Sequence, residues 1–286
     1  MSPAAPVTIE LDERGVPLSH YPVPGTGTSQ PRRSIVAIAE KGLDYAAKSA
    51  HHEFPSLTSY LWEPAKDARM APATVGEPAP REGMLACAEW LANEAVPLDD
   101  AVVWRYDYPS YHGTSAGWRS GHAQGQAVRL LLHTWQETGQ PEWRELAARA
   151  VRAFGIPVAD GGFTLRLARR RWWYAKFADA TSDEQFVLNG MLFALLGLRD
   201  AASHDLPNAS LAHDYGSRAV RSMLRRYDAP GGSLYDLGGK RASLHYHRIH
   251  LQMIDALPSI SSGFTARRIL QRWRTVDTGA ARGGEW

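Results

Sequence analysis

Two tyrosines, Tyr235 and Tyr246, lie in a stretch, residues 231–250, that is rich in histidine and basic residues and poor in core-forming ones. A tyrosine hydroxyl has an ordinary pKa of about 10, so it acts as a base at neutral pH only beside positive charge. The cations of the same stretch are Lys240, Arg241 and Arg248. The pattern indicates a tyrosine acid/base site, although packing with a satisfied hydroxyl is the commoner fate of a tyrosine.

Three histidines of this stretch, His245, His247 and His250, have a spacing that argues against a metal centre. His245 and His247, at i and i+2, would share a face on a strand but not on a helix. His245 and His250, at i and i+5, would not share a face well on either a strand or a helix. No Asp or Glu lies within the triplet to complete a ligand set. We predict no metal, and we expect these histidines to form hydrogen bonds within the protein or to contact substrate.

A second basic cluster lies in residues 160–178, where apolar and polar residues alternate as is typical of a β-hairpin. Its members are Arg166, Arg169, Arg170, Arg171 and Lys176. On a hairpin that faces a cleft, these residues would bind a carboxylate or a phosphate. A solvated edge strand that is protected by charge explains them equally well.

Composition and missing motifs exclude several classes of function. A formal net charge of +2 does not favour nucleic acid or an anionic membrane, and no run approaches the ~18 apolar residues of a membrane span. The first residues lack the basic and apolar regions of a signal peptide, so we expect a cytoplasmic protein. Cys87 is the one cysteine and lies in an apolar helical run, which excludes an intrachain disulfide and predicts a buried thiol. No phosphate-binding glycine loop, metalloprotease motif or serine-hydrolase motif is present, so no cofactor is predicted.

The elements that must position these residues are mainly helical. Residues 1–33 are rich in proline and predict an irregular segment, whereas residues 34–286 predict a single, mainly helical domain with short hairpins within 160–178 and after Gly231. Helices are predicted around 35–46, 84–95, 128–135, 141–154, 186–198, 212–227, 246–256 and 264–273. Three similar segments recur at intervals of roughly 64 residues, which fits an α/α toroid and also fits chance.

Several motifs resemble, in order, those of the D-glucuronyl C5-epimerases. Residues 117–127, Gly-Trp-Arg-Ser-Gly-His-Ala-Gln-Gly-Gln-Ala, are similar to the family signature Gly-Trp-x-Ser-x-x-Ala-Gln-Gly-Gln-Ala. Later motifs follow at 186–190, 232–237 and 246–250, and an N-terminal one lies at 12–17. The resemblance covers most of the chain.

This resemblance implies an incomplete α/α toroid and removal of the C5 proton of a hexuronate, which lies next to a carboxylate. The family's paired C-terminal tyrosines correspond to Tyr235 and Tyr246, with roles as acid and base. The expected partner is a small molecule or saccharide that carries a carboxylate, and a homodimer is one candidate assembly. We expect the substrate to contact Trp118, Arg119, Gln124, Gln126, Tyr174, Asn189, His247, Arg248, His250 and the aromatic loop residues Tyr106 and Tyr108.

The first hairpin departs from the family pattern Trp-Tyr-Glu-Glu-Tyr-Pro. Lys176 and Phe177 replace the second Glu and the second Tyr, which the family uses in catalysis, and Gly238 replaces the Arg after Tyr-Asp-Leu. Lys176 could act as an acid, as a base if it were desolvated, or as an anchor for an anion. Three hypotheses follow: a uronate C5-epimerase-like enzyme, the same scaffold redirected to elimination or cyclisation of a small biosynthetic intermediate, or a non-catalytic glycan-binding relic.

Overall fold

Most of the chain is helical, and short antiparallel hairpins separate the helices of its C-terminal half, as the sequence predicts. The computed structural model describes residues 8–22, 28–49, 72–73, 77–110, 113–178 and 185–280. The chain divides into two compact units, of which the first comprises residues 1–95 and 129–146 and the second comprises residues 96–128 and 147–286. Within the described ranges, no helix has the length and hydropathy that crossing a membrane requires.

A four-stranded sheet in the first unit has the strand order β3-β2-β1-β4. Its strands are β1 (Thr8–Leu11), β2 (Pro17–Pro22), β3 (Ser29–Arg32) and β4 (Pro72–Ala73). The prediction of an irregular segment over residues 1–33 is therefore wrong for the described part of that segment. Proline is tolerated at the first residue of a strand and in edge strands, which is where Pro17, Pro31 and Pro72 lie. The domain boundary at residue 34 stays a prediction.

Two helices of the first unit, α1 (Ile35–Ser49) and α2 (Pro80–Asn93), pack against each other. Gly83 permits a close approach, because a Cβ at this position would lie 2.6 Å from the ring of Tyr45. Cys87 on α2 is a buried free thiol, as predicted, and burial raises its pKa.

Two further helices belong in part to each unit. α3 (Gly121–Thr138) belongs to the second unit up to Val128, and α4 (Pro141–Arg152) belongs to it from Ala147 onward. Pro141 begins α4, as predicted, since a first-turn proline loses no helical hydrogen bond.

The rest of the second unit alternates helices with two-stranded hairpins. Its elements are β5 (Val96–Leu98), β6 (Ala101–Val103), β7 (Thr164–Ala168), β8 (Arg171–Tyr174), α5 (Leu188–Ser203), α6 (Ala209–Met223), β9 (Asp228–Ala229), β10 (Gly232–Ser233), α7 (Leu244–Asp255), α8 (Pro258–Ser261) and α9 (Phe264–Ala280). The two predicted hairpins are confirmed as β7–β8 and β9–β10, the second with two residues in each strand.

α5 is buried on almost every side, as its nearly continuous apolar sequence predicts. α3 approaches it closely because both helices carry glycine at the contact. A Cβ at Gly197 would lie 2.4 Å from the carbonyl oxygen of Gly125. This contact fixes the first turns of α3, which carry the second half of the motif at 117–127, against the middle of α5.

Candidate active site

Lys176 and Tyr235 form the contact around which the candidate site is built. The ammonium of Lys176 donates a hydrogen bond to the hydroxyl oxygen of Tyr235, with 2.8 Å between Nζ and Oη. The same Nζ lies 5.3 Å from the centroid of the Tyr235 ring. Tyr235 is buried and Lys176 is half-buried. The first hairpin therefore supplies a cation to a tyrosine that lies 59 residues further along the chain.

Of the three cations predicted to accompany the tyrosines, Lys240 lies beside the Tyr235 ring. Lys240 is exposed, and its Nζ lies 5.1 Å from the centroid of the Tyr235 ring. Arg241 is exposed and donates to the carbonyl oxygen of Pro230. Arg248 is also exposed. The hydrogen bond to Tyr235 that the sequence predicted from Lys240, Arg241 or Arg248 is therefore made by Lys176.

The N-terminal turn of α5 positions both Lys176 and Tyr235. Gly190, in the first turn of α5, leaves room for the Lys176 stem, because a Cβ at Gly190 would lie 2.6 Å from the Cβ of Lys176. The backbone N–H of Leu188 donates to the carbonyl oxygen of Tyr235 at 3.0 Å. The N-terminal turn of α5 is therefore the common support of both side chains.

Tyr246 lies against Tyr235. The two rings meet edge to face, with 5.0 Å between centroids. Tyr246 lies in the first turn of α7, whose N-cap residue Ser243 accepts a hydrogen bond from the Tyr246 backbone N–H at 3.4 Å. Tyr246 is half-buried. Folding thus brings together two phenols and one ammonium from three different segments.

His247 and His250 are fully buried on α7, and both contact Ser233 of β10. The Ser233 backbone N–H donates to Nδ1 of His247 at 3.1 Å, and Nε2 of His247 lies 3.0 Å from the carbonyl oxygen of Trp273. His247 therefore carries its proton on Nε2 and donates it to that carbonyl. Trp273 in turn donates from its Nε1 to Asp228 Oδ1 at 3.0 Å, so α9 is fastened to both α7 and β9.

Two imidazoles near Lys176 are uncharged at neutral pH. Burial, followed by the neighbouring His247 and Lys176, lowers the pKa of His250 to about 3. Burial, followed by Lys176, lowers the pKa of His122 well below its usual range. His122 stacks on Phe193 with 4.2 Å between ring centroids. Neither histidine therefore adds positive charge beside Lys176.

The aromatic loop packs mainly on itself. Tyr106 and Trp118 stack in parallel with 3.8 Å between centroids, and the Trp118 Nε1 donates to the carbonyl oxygen of Tyr108 at 2.8 Å. Trp118 also contacts Phe177, with 5.4 Å between centroids. These rings are buried and support the segment that carries Lys176. Their predicted contact with substrate stays a prediction.

Two other predicted substrate-binding residues, Gln124 and Tyr174, donate hydrogen bonds to backbone carbonyls of the protein. Gln124 donates both amide hydrogens to backbone carbonyls, those of Val102 at 2.8 Å and Ala150 at 3.0 Å. Tyr174 donates its hydroxyl to the carbonyl oxygen of Ala212 at 2.7 Å, and burial raises its pKa. Both contacts brace the second unit around the site.

The remaining candidates lie nearby on the same unit. Arg119 is largely buried, and its carbonyl oxygen accepts from the Ala178 backbone N–H at 3.0 Å. Gln126 and Asn189 are buried, and Asn189 Oδ1 has no hydrogen-bond partner among the described residues. Whether Arg119, Gln126 and Asn189 touch substrate stays a prediction.

Comparison with known proteins identifies the family. The family model described as "D-glucuronyl C5-epimerase C-terminus" matches residues 99–275, which is more than half of the chain. The chain belongs to the D-glucuronyl C5-epimerase family. Every residue of the contacts between Lys176, Tyr235 and Tyr246 lies within the matched range.

Two curated relatives show how far this C5-epimerase family member has diverged. An uncharacterized protein of Methanocaldococcus jannaschii is 32% identical over 161 residues, which are 54% of this chain and 51% of the relative. The D-glucuronyl C5-epimerase of Caenorhabditis elegans is 26% identical over 215 residues, which are 66% of this chain and 34% of the relative. The chain thus spans about half the length of the first relative and about a third of the second.

The structure shows what the departures from the C5-epimerase pattern do. Lys176, which replaces a glutamate, binds Tyr235, and Phe177, which replaces a tyrosine, packs against Trp118. The other basic residues of the first hairpin, Arg166, Arg169, Arg170 and Arg171, are exposed. Within the ranges that the structure describes, no group of three or more metal-ligating side chains occurs.

Sequence reasoning missed two residues of the site. Ser233 is an ordinary residue of a glycine-rich turn, and its contact with two histidines appears only once β10 and α7 meet. His122 occupies a variable position of the motif at 117–127, so the family pattern gave it no weight. Its place at the start of α3, within the motif at 117–127, was the available signal.

Proposed function

We propose that the chain is an epimerase that acts at an acidic C–H next to a carboxylate, with a hexuronate as substrate and C5 as the reacting carbon. Tyr235 and Tyr246 are the base and acid, and Lys176 is the cation that serves them. The observation that carries this proposal is the 2.8 Å hydrogen bond from Lys176 Nζ to Tyr235 Oη, with Tyr246 against the same ring. The incomplete α/α toroid that the family implies is part of the proposal.

The chemistry requires two proton-transfer groups and a positive charge. A proton next to a carboxylate is very weakly acidic, because removing it adds negative charge beside an existing one. A base must take the proton from one face of the ring, an acid must return a proton to the other face, and a cation must stabilise the intermediate. The phenolate of Tyr235 would take the C5 proton, and the hydroxyl of Tyr246 would supply the new one.

Lys176 can perform two of these tasks at once. An ammonium within hydrogen-bond distance of a phenol favours the ionised phenol, which is the form that acts as a base. Lys176 has three N–H donors, so one can bind Tyr235 while another binds the substrate carboxylate. The cation that replaces the family's glutamate would thereby stabilise both the base and the carbanion.

Elimination is the second candidate function, and the replaced first hairpin favours it. The hairpin has lost a carboxylate and a phenol, and both are groups that could reprotonate the carbanion. If a leaving group departs before the proton returns, the same intermediate gives an unsaturated product.

Hydrogen exchange tests the proposal directly. Simple and oligomeric glucuronides incubated with the protein in D2O should acquire deuterium at C5, as measured by NMR and mass spectrometry. Tyr235→Phe and Tyr246→Phe should each reduce this labelling severely. The absence of label in every uronate would reject the epimerase, and a product with new ultraviolet absorbance would favour elimination.

A further inference from the structure

His250 has one ring nitrogen that the fold does not use. The side chain is fully buried, and its Nδ1 lies 2.8 Å from Ser233 Oγ. Its Nε2 is also buried but has no hydrogen-bond partner among the residues that the structure describes. Leaving a buried polar atom unpaired costs about 1–3 kcal/mol, so such an atom in a candidate site calls for a ligand.

The hydrogen bonds around Ser233 decide which nitrogen of His250 carries the proton. Nδ1 of His247 already accepts from the Ser233 backbone N–H, so it bears no proton. Ser233 Oγ lies 2.9 Å from that same Nδ1, and a contact this short between two acceptors requires that the Ser233 hydroxyl donate to His247. Ser233 Oγ must then accept from Nδ1–H of His250. His250 is therefore protonated on Nδ1, and its Nε2 presents a bare lone pair.

The position of His250 on its helix places its side chain on the same face as Tyr246. His250 follows Tyr246 by four residues on α7, so both side chains lie on one helix face. Ser233, which holds the other ring nitrogen, lies two residues before Tyr235. Lys176 is also near enough for its charge to act on the imidazole.

We infer that Nε2 of His250 accepts a hydrogen bond from a hydroxyl group of the bound saccharide, and that Ser233 and His247 exist to hold His250 in the tautomer that can do so. A carboxylate at this position is excluded, because it would present a second acceptor to the lone pair. The sugar must therefore be oriented with a ring hydroxyl toward His250 and its carboxylate toward Lys176. This inference rests on the proposed function only in taking a glucuronide as the ligand.

NMR of protein labelled with ¹⁵N in its histidine rings tests the inference without requiring turnover. In the free protein, Nδ1 of His250 should be protonated and Nε2 should not. Methyl β-D-glucuronide should shift the Nε2 signal in the direction of an accepted hydrogen bond. The matched control is His213 on α6, whose Nε2 is also buried without a partner among the described residues and should not respond. A proton on Nε2 in the free protein, or an Nε2 signal unchanged up to the solubility limit of the glucuronide, would overturn the inference.

Two variants separate the parts of the mechanism. Ser233→Ala removes the hydroxyl but keeps the backbone N–H. His247 should therefore keep its tautomer, while His250 should become a mixture of the Nδ1–H and Nε2–H tautomers. An unchanged tautomer of His250 in this variant would reject the role of Ser233. His250→Phe should weaken glucuronide binding by ~10- to 100-fold, and affinity equal to that of the wild type would reject the role of His250.

Failure of this inference is distinguishable from failure of the proposed function. A response of Nε2 without deuterium at C5 would preserve the binding role and reject the reaction. Labelling at C5 without a response of Nε2 would preserve the proposed reaction and reject the binding role of His250.

Discussion

Replacing Lys176 with methionine should disable Tyr235, the proposed base, without removing its phenol. Methionine retains the length of the stem that packs on Gly190 but lacks the ammonium that binds Tyr235. We expect deuterium exchange at C5 to fall at neutral pH and to recover at higher pH. The sign follows from the proposed mechanism, in which the phenolate of Tyr235 is the base: without the neighbouring cation, a higher pH is needed to produce the phenolate.

The size of the loss follows from the 2.8 Å contact. Coulomb's law with an effective dielectric constant of ~20 gives an attraction of about 6 kcal/mol at this distance, which is an upper bound because Lys176 is half-buried and partly screened. Hydrogen bonds to charged groups contribute about 1.5–3 kcal/mol in practice. Since each 1.36 kcal/mol is a factor of ten, the exchange rate should fall by roughly 10- to 150-fold at neutral pH.

The assay is the rate of deuterium incorporation into a glucuronide in D2O, measured from pH 6 to pH 10 for three variants. Lys176→Arg retains a positive charge and should keep the midpoint of the pH–rate profile. Lys240→Met removes an exposed cation 5.1 Å from the Tyr235 ring, so it should change the rate by less than about threefold. A Lys176→Met protein whose neutral rate and pH profile match those of the wild type would refute the assignment of Lys176 as the partner of Tyr235.

Three further outcomes are expected. Gly190→Ala should place a methyl group 2.6 Å from the Cβ of Lys176 and reduce the exchange rate about tenfold or more, whereas an unaltered rate would show that the stem can shift freely. Gln124→Leu leaves two buried backbone carbonyls unpaired and should lower the free energy of unfolding by about 2–5 kcal/mol in urea titrations; a loss below about 1 kcal/mol would contradict this role. Burial lowers the folded-state pKa of His250 from the ordinary 6.5 to about 3, so its contribution to stability is present above pH 6.5 and is lost as the pH falls from 6.5 toward about 3, by up to ~1.4 kcal/mol per pH unit. The pKa of His122 is lowered in the same direction, so His122 adds to this decline. Urea titrations of the wild type and His250→Phe between pH 7 and pH 5 should show a shallower decline in the variant, and equal slopes would argue against the buried, neutral His250.

Local sequence patterns predicted most of the helices of the second unit and two of the three hairpins described there, β7–β8 and β9–β10, but not the β5–β6 hairpin. Apolar residues recur with the helical period in α3 and α6, and α5 is apolar almost all round. The pattern of apolar residues is therefore enough to predict these three helices. The N-terminal sheet was missed because its prolines were taken as loop signals. Three of them lie at strand starts or in edge strands, and edge pairing is a tertiary fact that local sequence does not contain.

The site was predictable where one segment carries it and unpredictable where two segments meet. Tyr235 and Tyr246 could be paired from the sequence because they lie eleven residues apart in one motif-bearing stretch. The partner of Tyr235 could not, because Lys176 is 59 residues away and occupies a position where the family pattern has a glutamate. Trp118 illustrates the same limit, since only the folded chain shows its ring stacked on Tyr106.

The hydrogen bond from His247 to the backbone of Trp273 has a consequence for the order in which the site is assembled during synthesis. His247 cannot be held until residue 273 has left the ribosome, because its acceptor lies on α9. The ring of Trp273 also fastens Asp228 at the start of the second hairpin. The first hairpin and α5 can therefore pack while translation continues, but the histidine that orders Ser233 waits for the last described helix. A nascent chain that ends before Trp273 would contain Tyr235 and Tyr246 but would lack the backbone acceptor that holds His247.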